Sequence, residues 1–206
     1  LRYLHSSNIS SASSRQKYAL SLMAANCRNE YITNVLDDSV GELGIMSWVF
    51  GLHLVNNGVQ SDKHNADSII AQLLSMQLPD GGWAVRGEVS DVDVTSMTIQ
   101  ALAPHCGDEN VKAAVDKALN LISVQQLSSG AFSSYGIENA ESTAQVIIAL
   151  SALGIDCRTD ERFAKDGRSA LDGLLQFRLE DGSFAHEPDG AYSHMATGQS
   201  LNALIS

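Results

Sequence analysis

The sequence is poor in proline and cysteine, and each shortage narrows the class of protein. Its 206 residues include only 3 prolines against 16 glycines. That balance favours helices joined by glycine-containing turns over an all-β fold. The 3 cysteines, Cys27, Cys106 and Cys157, are odd in number and not closely paired. They predict neither a disulfide framework nor a Cys-x-x-Cys site, and are interpreted as small buried or loop residues.

Positive charge and long apolar runs are also scarce. Thirteen Lys and Arg stand against 24 Asp and Glu, so the formal net charge is −11 and the pI is about 4.8. Without a basic cluster, a nucleic acid partner is excluded and binding to an anionic membrane surface is disfavoured. No run of about 18 apolar residues occurs, so direct membrane insertion is not expected.

The bulk numbers nevertheless permit a folded core. A hydrophobic fraction of 44% and a length of 206 residues predict a single domain over 1–206. The chain starts at Leu1, without Met and without a basic-then-apolar leader. It is therefore interpreted as a processed or trimmed piece of a longer protein.

A repeat of about fifty residues runs through the chain. Its first block is Gln, a short polar turn, then Gly-x-aromatic, as in QLPDGGWAV, QLSSGAFSS and QFRLEDGSFAH. The residues of this block are Gln77, Gly81, Trp83, Gln126, Gly130, Phe132, Gln176, Gly182 and Phe184. The glutamines are 49 and 50 residues apart (126 − 77 and 176 − 126). Such a fixed period is typical of repeat architectures, in which each unit buries its apolar face against its neighbours.

A second block follows each aromatic residue after eleven to thirteen residues. It begins with Thr95, Thr143 or Thr197, and Ala-Leu comes six and seven residues later. These segments are apolar around most of their circumference, which predicts inner helices. The segments before the glutamines are amphipathic. In 110–126, for example, Val111, Val115, Leu119 and Ile122 form one stripe, which predicts an outer helix.

The same alternation extends towards the N-terminus. Segments 13–27 and 42–58 are predicted as inner helices, and 30–38 as a short outer one. The outer helices of the three repeats are predicted over 66–77, 110–126 and 168–180. About nine helices, alternating between an outer and an inner layer, are therefore expected. The fold class is all-α.

The Gln-turn-Gly-x-aromatic units resemble the QW motifs of squalene-hopene cyclase and its relatives, well over 40–206 and weakly over 1–40. That resemblance implies an α/α toroid, in which six inner helices are ringed by six outer ones. Only about five inner helices are found here, so it implies an incomplete ring, closed by residues or domains outside this chain. In those families the Gln and the aromatic tie an outer helix to the next inner helix. A ligand-stacking platform is the alternative role for these residues.

More closely, the chain is similar to prenyltransferase/squalene-oxidase-repeat domains of bacterial secreted or surface proteins, with the α-domain of cobalamin carriers as distant kin. This similarity implies an extracellular or cell-surface location in a bacterium. It also implies cobalamin as one candidate cofactor, bound together with a companion β-domain that this chain does not contain. No cofactor is required by the sequence itself.

Asp91 and Asp93, at the start of one inner helix, pose the main functional question. The cyclases protonate an alkene or epoxide with an Asp-x-Asp-Asp motif. The resemblance places its first Asp on Asp91 and its acid on Asp93, but its last Asp falls on Val94. Three interpretations stay open: a helix cap, with Glu141 and His194 near the same point in the other repeats; a ligand contact; or acid catalysis. The broken motif favours a protein without catalysis.

Protein prenyltransferases bind zinc on the same toroid through an Asp-x-Cys pair and a later His. The resemblance places these ligands near Glu141, Thr143 and His194. Thr143 replaces the thiolate that zinc prefers. His186 and His194 lie eight residues apart on a predicted loop, which is not ligand spacing along a helix. No metal site is therefore predicted, and His186 is interpreted as a solvated loop residue.

The sequence thus predicts a non-catalytic domain that binds a small-molecule or protein ligand at the barrel mouth, where turns lead into the inner helices. The candidate residues are Asp91, Asp93, Tyr135, Glu138, Glu141, Gln145, Tyr192 and His194. Their acidity suits a cationic or hydrogen-bonding ligand better than a phosphate. The alternatives are a terpene cyclase or prenyltransferase-like enzyme that uses Asp93 as its acid, a cobalamin-type carrier domain, and a structural spacer.

Overall fold

The computed structural model describes residues 11–27 and 29–206, which fall into two compact units that meet in the sequence between Gln77 and Leu78. The described residues form nine α-helices and two short β-hairpins. None of these helices has both the length and the hydrophobicity needed to cross a bilayer. The all-α class predicted from the repeats is confirmed, while the assignment of 1–206 to a single domain stays a prediction.

The described residues of the first unit form four helices. They are α1 (Ala12–Ala24), α2 (Glu30–Ser39), α3 (Gly44–Asn56) and α4 (Ala66–Ser75). Helix α1 packs against α2 and α3, and α3 packs against α4. The buried amide of Gln16 on α1 donates to the carbonyl oxygen of Ser47 on α3, at 2.8 Å. The two predicted inner helices of this unit therefore lie side by side, with α2 and α4 beside them.

The second unit contains five helices. They are α5 (Val92–Leu102), α6 (Glu109–Gln125), α7 (Ala140–Ala152), α8 (Ala170–Leu175) and α9 (His194–Ile205). Helix α7 packs against α5 on one side and α9 on the other. Helix α6 packs on α5, and α8 packs on α7. The inner helices α5, α7 and α9 thus form a row with α6 and α8 outside it, as the alternating pattern predicts.

Burial follows the two predicted patterns. The stripe on α6, formed by Val111, Val115, Leu119 and Ile122, is buried to within 3% exposure, while much of the rest of the helix is exposed. Helix α7 is buried around most of its circumference. The outer helix buries its single apolar face and leaves its polar face in water. The nearly all-apolar inner helix is buried on most sides.

Two antiparallel hairpins precede α7 and α8 and were not predicted. Strand β1 (Phe132–Ser134) pairs with β2 (Ile137–Asn139), and β3 (Ala164–Lys165) pairs with β4 (Arg168–Ser169). The second hairpin shortens the predicted helix 168–180, because pairing holds Arg168 and Ser169 extended. At its other end α8 stops at Leu175, and Arg178 then forms a β-bridge with Phe184.

The three glycine turns share one geometry. In each turn, a leucine lies five residues before the aromatic residue. Its backbone N–H donates to the carbonyl oxygen of the residue that directly precedes the aromatic residue. These bonds are Leu78 to Gly82 (2.8 Å), Leu127 to Ala131 (2.9 Å) and Leu179 to Ser183 (2.8 Å). The φ values of Gly81, Gly130 and Gly182 are +99°, +88° and +87°. Residues that carry a side chain rarely adopt this backbone conformation. This backbone conformation explains the recurring glycine.

The recurring threonine ties each turn to the next inner helix. The backbone N–H of the aromatic residue donates to the threonine hydroxyl twelve, eleven or thirteen residues later. The bonds are Trp83 to Thr95 (2.9 Å), Phe132 to Thr143 (3.0 Å) and Phe184 to Thr197 (2.9 Å). The aromatic rings themselves are buried to within 1% exposure. The recurring spacing between the two blocks therefore has a hydrogen bond as its physical cause.

The N-caps of the inner helices recur four residues before each threonine. The acceptor is a side-chain oxygen and the donor is the backbone N–H three residues on, in the pairs Asp91–Val94, Asn139–Ser142 and Ser193–Ala196. Caps at these positions satisfy N–H groups that the first helical turn leaves free. In the second and third repeats the cap is therefore Asn139 and Ser193, not Glu141 and His194.

The glutamines are less regular than the glycines. At the end of α6, the Gln126 amide donates to the carbonyl oxygens of Gly130 (2.8 Å) and Phe163 (3.0 Å). The Gln176 amide donates instead to a carboxylate oxygen of Glu138, at 2.7 Å. Gln126 lies four residues before its glycine and Gln176 six before Gly182. The two glutamines are therefore not equivalent in the fold.

Candidate functional site

The N-terminal ends of α5 and α7 bring three carboxylates together. Asp93 and Glu141 occupy equivalent places, two residues before Thr95 and Thr143, and Asp91 is the cap of α5. The charges of Asp91 and Glu141 both act on Asp93. We call Asp91, Asp93, Glu141, Ser142 and His186 the acid cluster.

Asp91 has a structural task. Its Oδ1 accepts the Val94 N–H at 3.0 Å, and its Oδ2 accepts the Ser134 hydroxyl at 2.8 Å. The first bond caps α5 and the second holds strand β1 against the start of that helix. Both oxygens are engaged, so Asp91 contributes mainly negative charge to the cluster.

Asp93 is different, because its carboxylate does not cap the helix. The side chain is half-buried, and its Oδ1 is buried without a hydrogen-bond partner among the described residues. Burial raises the pKa of Asp93 to about 6. A hydrogen bond from the Ser142 hydroxyl lowers this pKa, and the charges of Asp91 and Glu141 raise it further. Asp93 therefore changes charge close to neutral pH.

Glu141 is the most buried carboxylate of the cluster, at 6% exposure. Its Oε2 lies 2.7 Å from Nδ1 of His186, whose side chain is 46% exposed. The carbonyl oxygen of His186 also accepts the Ala140 N–H at 3.0 Å. Two contacts thus fasten the loop after α8 to the start of α7. The other oxygen of Glu141, Oε1, is buried and unpartnered in the described part of the chain.

Ser142 completes the cluster on the α7 side. The residue is fully buried, and its hydroxyl forms a hydrogen bond with the Asp93 carboxyl group. Its effect on the pKa of Asp93 places it beside that carboxylate. Buried polar atoms are paired in the great majority of cases. Asp93 Oδ1 and Glu141 Oε1 are two carboxylate oxygens without a hydrogen-bond partner among the described residues, at the ends of two adjacent helices.

The remaining rim candidates make other contacts. Tyr135 is 94% exposed in the β1–β2 turn. Glu138 accepts the Ser129 hydroxyl and the Gln176 amide. Tyr192 is 57% exposed, and its hydroxyl lies 3.2 Å from Nδ1 of His194. Glu138 therefore links neighbouring segments, whereas the two tyrosines and His194 face solvent.

Gln145 belongs to a hydrogen-bonded chain across the inner helices, which we call the glutamine ladder. The Gln100 amide donates to Oε1 of Gln145 at 2.9 Å, and the Gln145 amide donates to Oε1 of Gln199 at 2.9 Å. Gln100 lies seven residues after Asp93 and Gln145 four after Glu141, so each shares a helix face with its carboxylate. The sequence singled out Gln145 but missed its two partners.

The zinc ligands implied by the prenyltransferase resemblance are not assembled. No group of three or more His, Cys, Asp or Glu in 11–27 and 29–206 is arranged to hold a metal. The Thr143 hydroxyl is occupied, because it accepts from Phe132 and donates to the Asn139 carbonyl at 2.9 Å. Burial raises the pKa of the Cys106 and Cys157 thiols, which disfavours the thiolate form that metals bind.

A separate cavity, of about 440 Å³, lies at the C-terminal ends of α7 and α9. Its lining includes Ile147, Cys157, Arg158, Leu171 and Ala203. The Arg158 guanidinium is engaged by the Asp156 carboxylate through two bonds, of 2.9 and 2.7 Å. This cavity therefore holds a neutralised ion pair and an apolar wall, far along α7 from the acid cluster.

Comparison with known proteins identifies the fold. No family profile matches the sequence, and no characterised protein matches it in a sequence comparison. Among solved structures, it is similar to the Candida albicans protein geranylgeranyltransferase-I complexed with GGPP, at a TM-score of 0.54 and 13% sequence identity. The match covers 81% of this chain and 50% of that one, so the chain spans about half the length of that protein. An identity this low shows the fold alone: the chain has a prenyltransferase-like α/α-toroid fold.

Proposed function

We propose that this chain is a non-catalytic binding domain that holds its ligand at the acid cluster, where the turns enter α5 and α7. The observation that supports the proposal is a pair of buried carboxylate oxygens, Asp93 Oδ1 and Glu141 Oε1, that have no hydrogen-bond partner among the described residues. Each such atom costs about 1–3 kcal/mol of folding free energy when nothing bonds it. A ligand that supplies the missing hydrogen bonds recovers that cost.

The wider setting of the domain is part of the proposal and comes from the sequence resemblance. We propose an extracellular or cell-surface role in a bacterium, with a small molecule or a protein as the ligand. A cobalamin-type carrier, acting with a separate β-domain, is the alternative binding role. The GGPP with which the similar prenyltransferase is complexed is not proposed as a ligand here, because adjacent carboxylates would repel a phosphate group.

An enzyme that uses Asp93 as its acid is the second candidate, and the raised pKa of Asp93 is the observation in its favour. A carboxyl group that is partly protonated near pH 6 can donate a proton. However, the same raised pKa makes Asp93 a weak acid, and protonation of an alkene demands a strong one. The neighbouring charges of Asp91 and Glu141 weaken the acid further. The negative charges around Asp93 therefore favour binding over alkene protonation.

The proposal can be tested by NMR with four probes of equal chain length: butylammonium, butanol, butyramide and butyrate. Each probe is titrated into the ¹⁵N-labelled chain, and backbone amide shifts are followed. We expect at least one probe to shift the amides of 91–95 and 139–143 in a saturable way. Ser142→Ala should weaken that binding, and the exposed Glu180→Gln should leave it unchanged. If no probe moves these amides at millimolar concentration, the binding proposal is wrong.

The catalytic alternative has its own test. The chain is incubated with squalene, and the organic extract is analysed by gas chromatography for cyclised products. We expect none above a no-protein blank. Cyclised product that disappears in Asp93→Asn would support the enzyme and contradict the proposed binding function.

A further inference from the structure

We infer that α9 docks against α9 of a second copy of this chain, through an apolar face that nothing in the described ranges covers. The face consists of Met195, Gly198, Leu201, Leu204 and Ile205, and we call it the edge face. Its four apolar side chains are between 42% and 82% exposed. It contains no residue of the acid cluster, so the inference does not depend on the proposed function.

The edge face lies on the side of α9 that points away from the row of inner helices. The buried residues of α9 are Ala196, Ser200 and Ala203, which share one helix face. At about 100° of rotation per residue, Leu201 and Ile205 fall on the opposite face. Because α9 packs on α7, its buried face meets the row and its edge face ends it.

The corresponding positions are buried in the other two repeats. Counted from the recurring threonine, Leu201 corresponds to Ile99 and Ile147, which are 0% and 4% exposed, against 49% for Leu201. Leu204 corresponds to Leu150, which is 1% exposed, against 42% for Leu204. The apolar pattern of α9 is therefore that of a helix with neighbours on both sides, and the described residues supply a neighbour on one side.

The edge face is also free of charge, in a chain whose formal net charge is −11. Residues 195–206 contain no Asp, Glu, Lys or Arg, whereas the outer helix α6 carries Glu109, Lys112, Asp116 and Lys117. Two copies of so acidic a chain repel each other at their charged surfaces, and this repulsion is smallest where both surfaces are uncharged. A basic partner would be drawn to the acidic surfaces instead. The charge pattern therefore favours a second copy at the edge face.

A two-fold axis brings the same face of two copies together, so a single apolar stripe serves both. Gly198, Leu201 and Ile205 are three and four residues apart, the spacing of residues that meet along a pair of helices. A Cβ built on Gly198 would meet no atom within 4 Å. The two helix backbones can therefore approach closely there. Leu201 is central in the stripe, and in an antiparallel pair it faces its own counterpart.

The size of the edge face sets the expected affinity. Four apolar side chains on one helix form a small interface, and interfaces that bury less than about 1,200 Å² in total are transient. The cost of association offsets much of what their burial contributes. We therefore expect a dimer with a dissociation constant of about 10–100 µM.

The experiment is sedimentation velocity of the full chain, from about tenfold below to about tenfold above this range. We expect a monomer–dimer equilibrium. Leu201→Glu and Leu201→Lys should each weaken the dimer by about tenfold or more, because like charges then face each other across the axis. An equimolar mixture of these two variants should dimerise again, because opposite charges meet. Val124→Glu, at a site that is 81% exposed on α6, is the control and should change nothing.

Circular dichroism and thermal unfolding establish that each variant is folded before it is measured. A chain that stays monomeric at the highest concentration overturns the inference. So does a dimer that Leu201→Glu leaves intact, because its interface would then lie elsewhere. If the two Leu201 variants are monomeric alone and stay monomeric when mixed, Leu201 does not face its counterpart, and the inference is wrong as well.

Discussion

The second repeat, 126–150, and the third, 176–204, share the same local construction but differ in their surroundings. Both have the leucine-to-carbonyl bond in the turn, the aromatic-to-threonine bond and a side-chain cap four residues before the threonine. Their glycines differ. A Cβ built on Gly130 would lie 2.3 Å from the Ser169 carbonyl oxygen, whereas one on Gly182 would meet only the Arg178 side chain, at 3.7 Å.

The inner helices of the two repeats also differ in how far their side chains are buried by neighbouring elements. At the position two residues before the threonine, Glu141 is 6% exposed and Met195 is 61% exposed. Helix α7 packs between α5 and α9 and carries α8 on its outside, while Leu201 and Ile205 of α9 are 49% and 82% exposed. The turn, the aromatic-to-threonine hydrogen bond and the cap therefore form locally in both copies. Neighbouring elements add close packing and burial.

The largest expected effect separates the two glycines. Both have positive φ, so replacement by alanine costs each about 1–2 kcal/mol of backbone strain. Gly130→Ala adds a clash with a fixed backbone carbonyl, for a total of about 3–5 kcal/mol. Gly182→Ala should lose stability only through this backbone strain. Urea denaturation of both variants gives the free energies of unfolding.

Equal losses for the two glycine variants would contradict this explanation, because they would mean that only backbone conformation matters. Gly173→Ala serves as the partner control. A Cβ there would lie 2.2 Å from the Gly130 carbonyl carbon, although Gly173 itself lies within α8 and needs no positive φ. It should therefore destabilise the chain by packing alone.

A middle-sized effect is expected at the threonines. Thr143→Val removes a fully buried hydroxyl that accepts from Phe132 and donates to Asn139, and should cost about 2–3 kcal/mol. Thr197→Val removes the same bond to Phe184 at a half-buried site and should cost about 1 kcal/mol. Thermal unfolding of the pair measures the difference. A larger loss at Thr197 would mean that burial does not set the strength of this bond.

The smallest effect concerns the charge at the position two residues before the threonine. The pKa of Asp93 is raised from 3.8 to about 6, so its contribution to stability is fully present below pH 3.8 and is lost as the pH rises through about 6. Asp93→Asn removes this loss. A shift of this size corresponds to about 3 kcal/mol at most, and because the side chain is only half-buried we expect the variant to be more stable than the natural chain by about 1 kcal/mol at pH 8, with the difference shrinking towards pH 4.5.

Glu180→Gln is the matched control for Asp93→Asn, because Glu180 is exposed and lies outside the acid cluster. The groups that face Asp93 are Asp91, Glu141, Ser142 and, through Glu141, His186. A stabilisation that is the same at pH 8 and pH 4.5 would show that Asp93 does not titrate in this interval.

The helices could be predicted because their apolar periodicity is local. The stripe of Val111, Val115, Leu119 and Ile122 is buried as expected. The hairpins were missed, although Tyr135-Gly136 and Asp166-Gly167 have positive φ at both residues, and Asp-Gly is a known hairpin signal. The helix predicted over 168–180 is too long because the apolar pattern continues past Leu175. Strand pairing and a β-bridge set the observed ends of α8.

The site could be predicted only in part. Asp91, Asp93 and Glu141 stand out because they lie at the starts of apolar helices, yet no sequence pattern distinguishes the cap, Asp91, from Asp93, which does not cap the helix. That distinction depends on Ser134 and Ser142, which reach the two aspartates from another strand and another helix. His186 is exposed, as a solvated loop residue is expected to be, but its contact with Glu141 could not be predicted because the two residues are 45 apart in the sequence. Only tertiary structure brings such pairs together.

The glutamine ladder has a mechanical consequence. Its amides all donate in one direction, from Gln100 to Gln145 and from Gln145 to Gln199, and each bond is 2.9 Å long. A slip of one residue along a helix axis is a shift of about 1.5 Å with a rotation of about 100°, which would separate donor from acceptor. The ladder thus fixes the register of α5, α7 and α9 relative to one another. These three helices should therefore move as one rigid body when a ligand or partner binds at their ends.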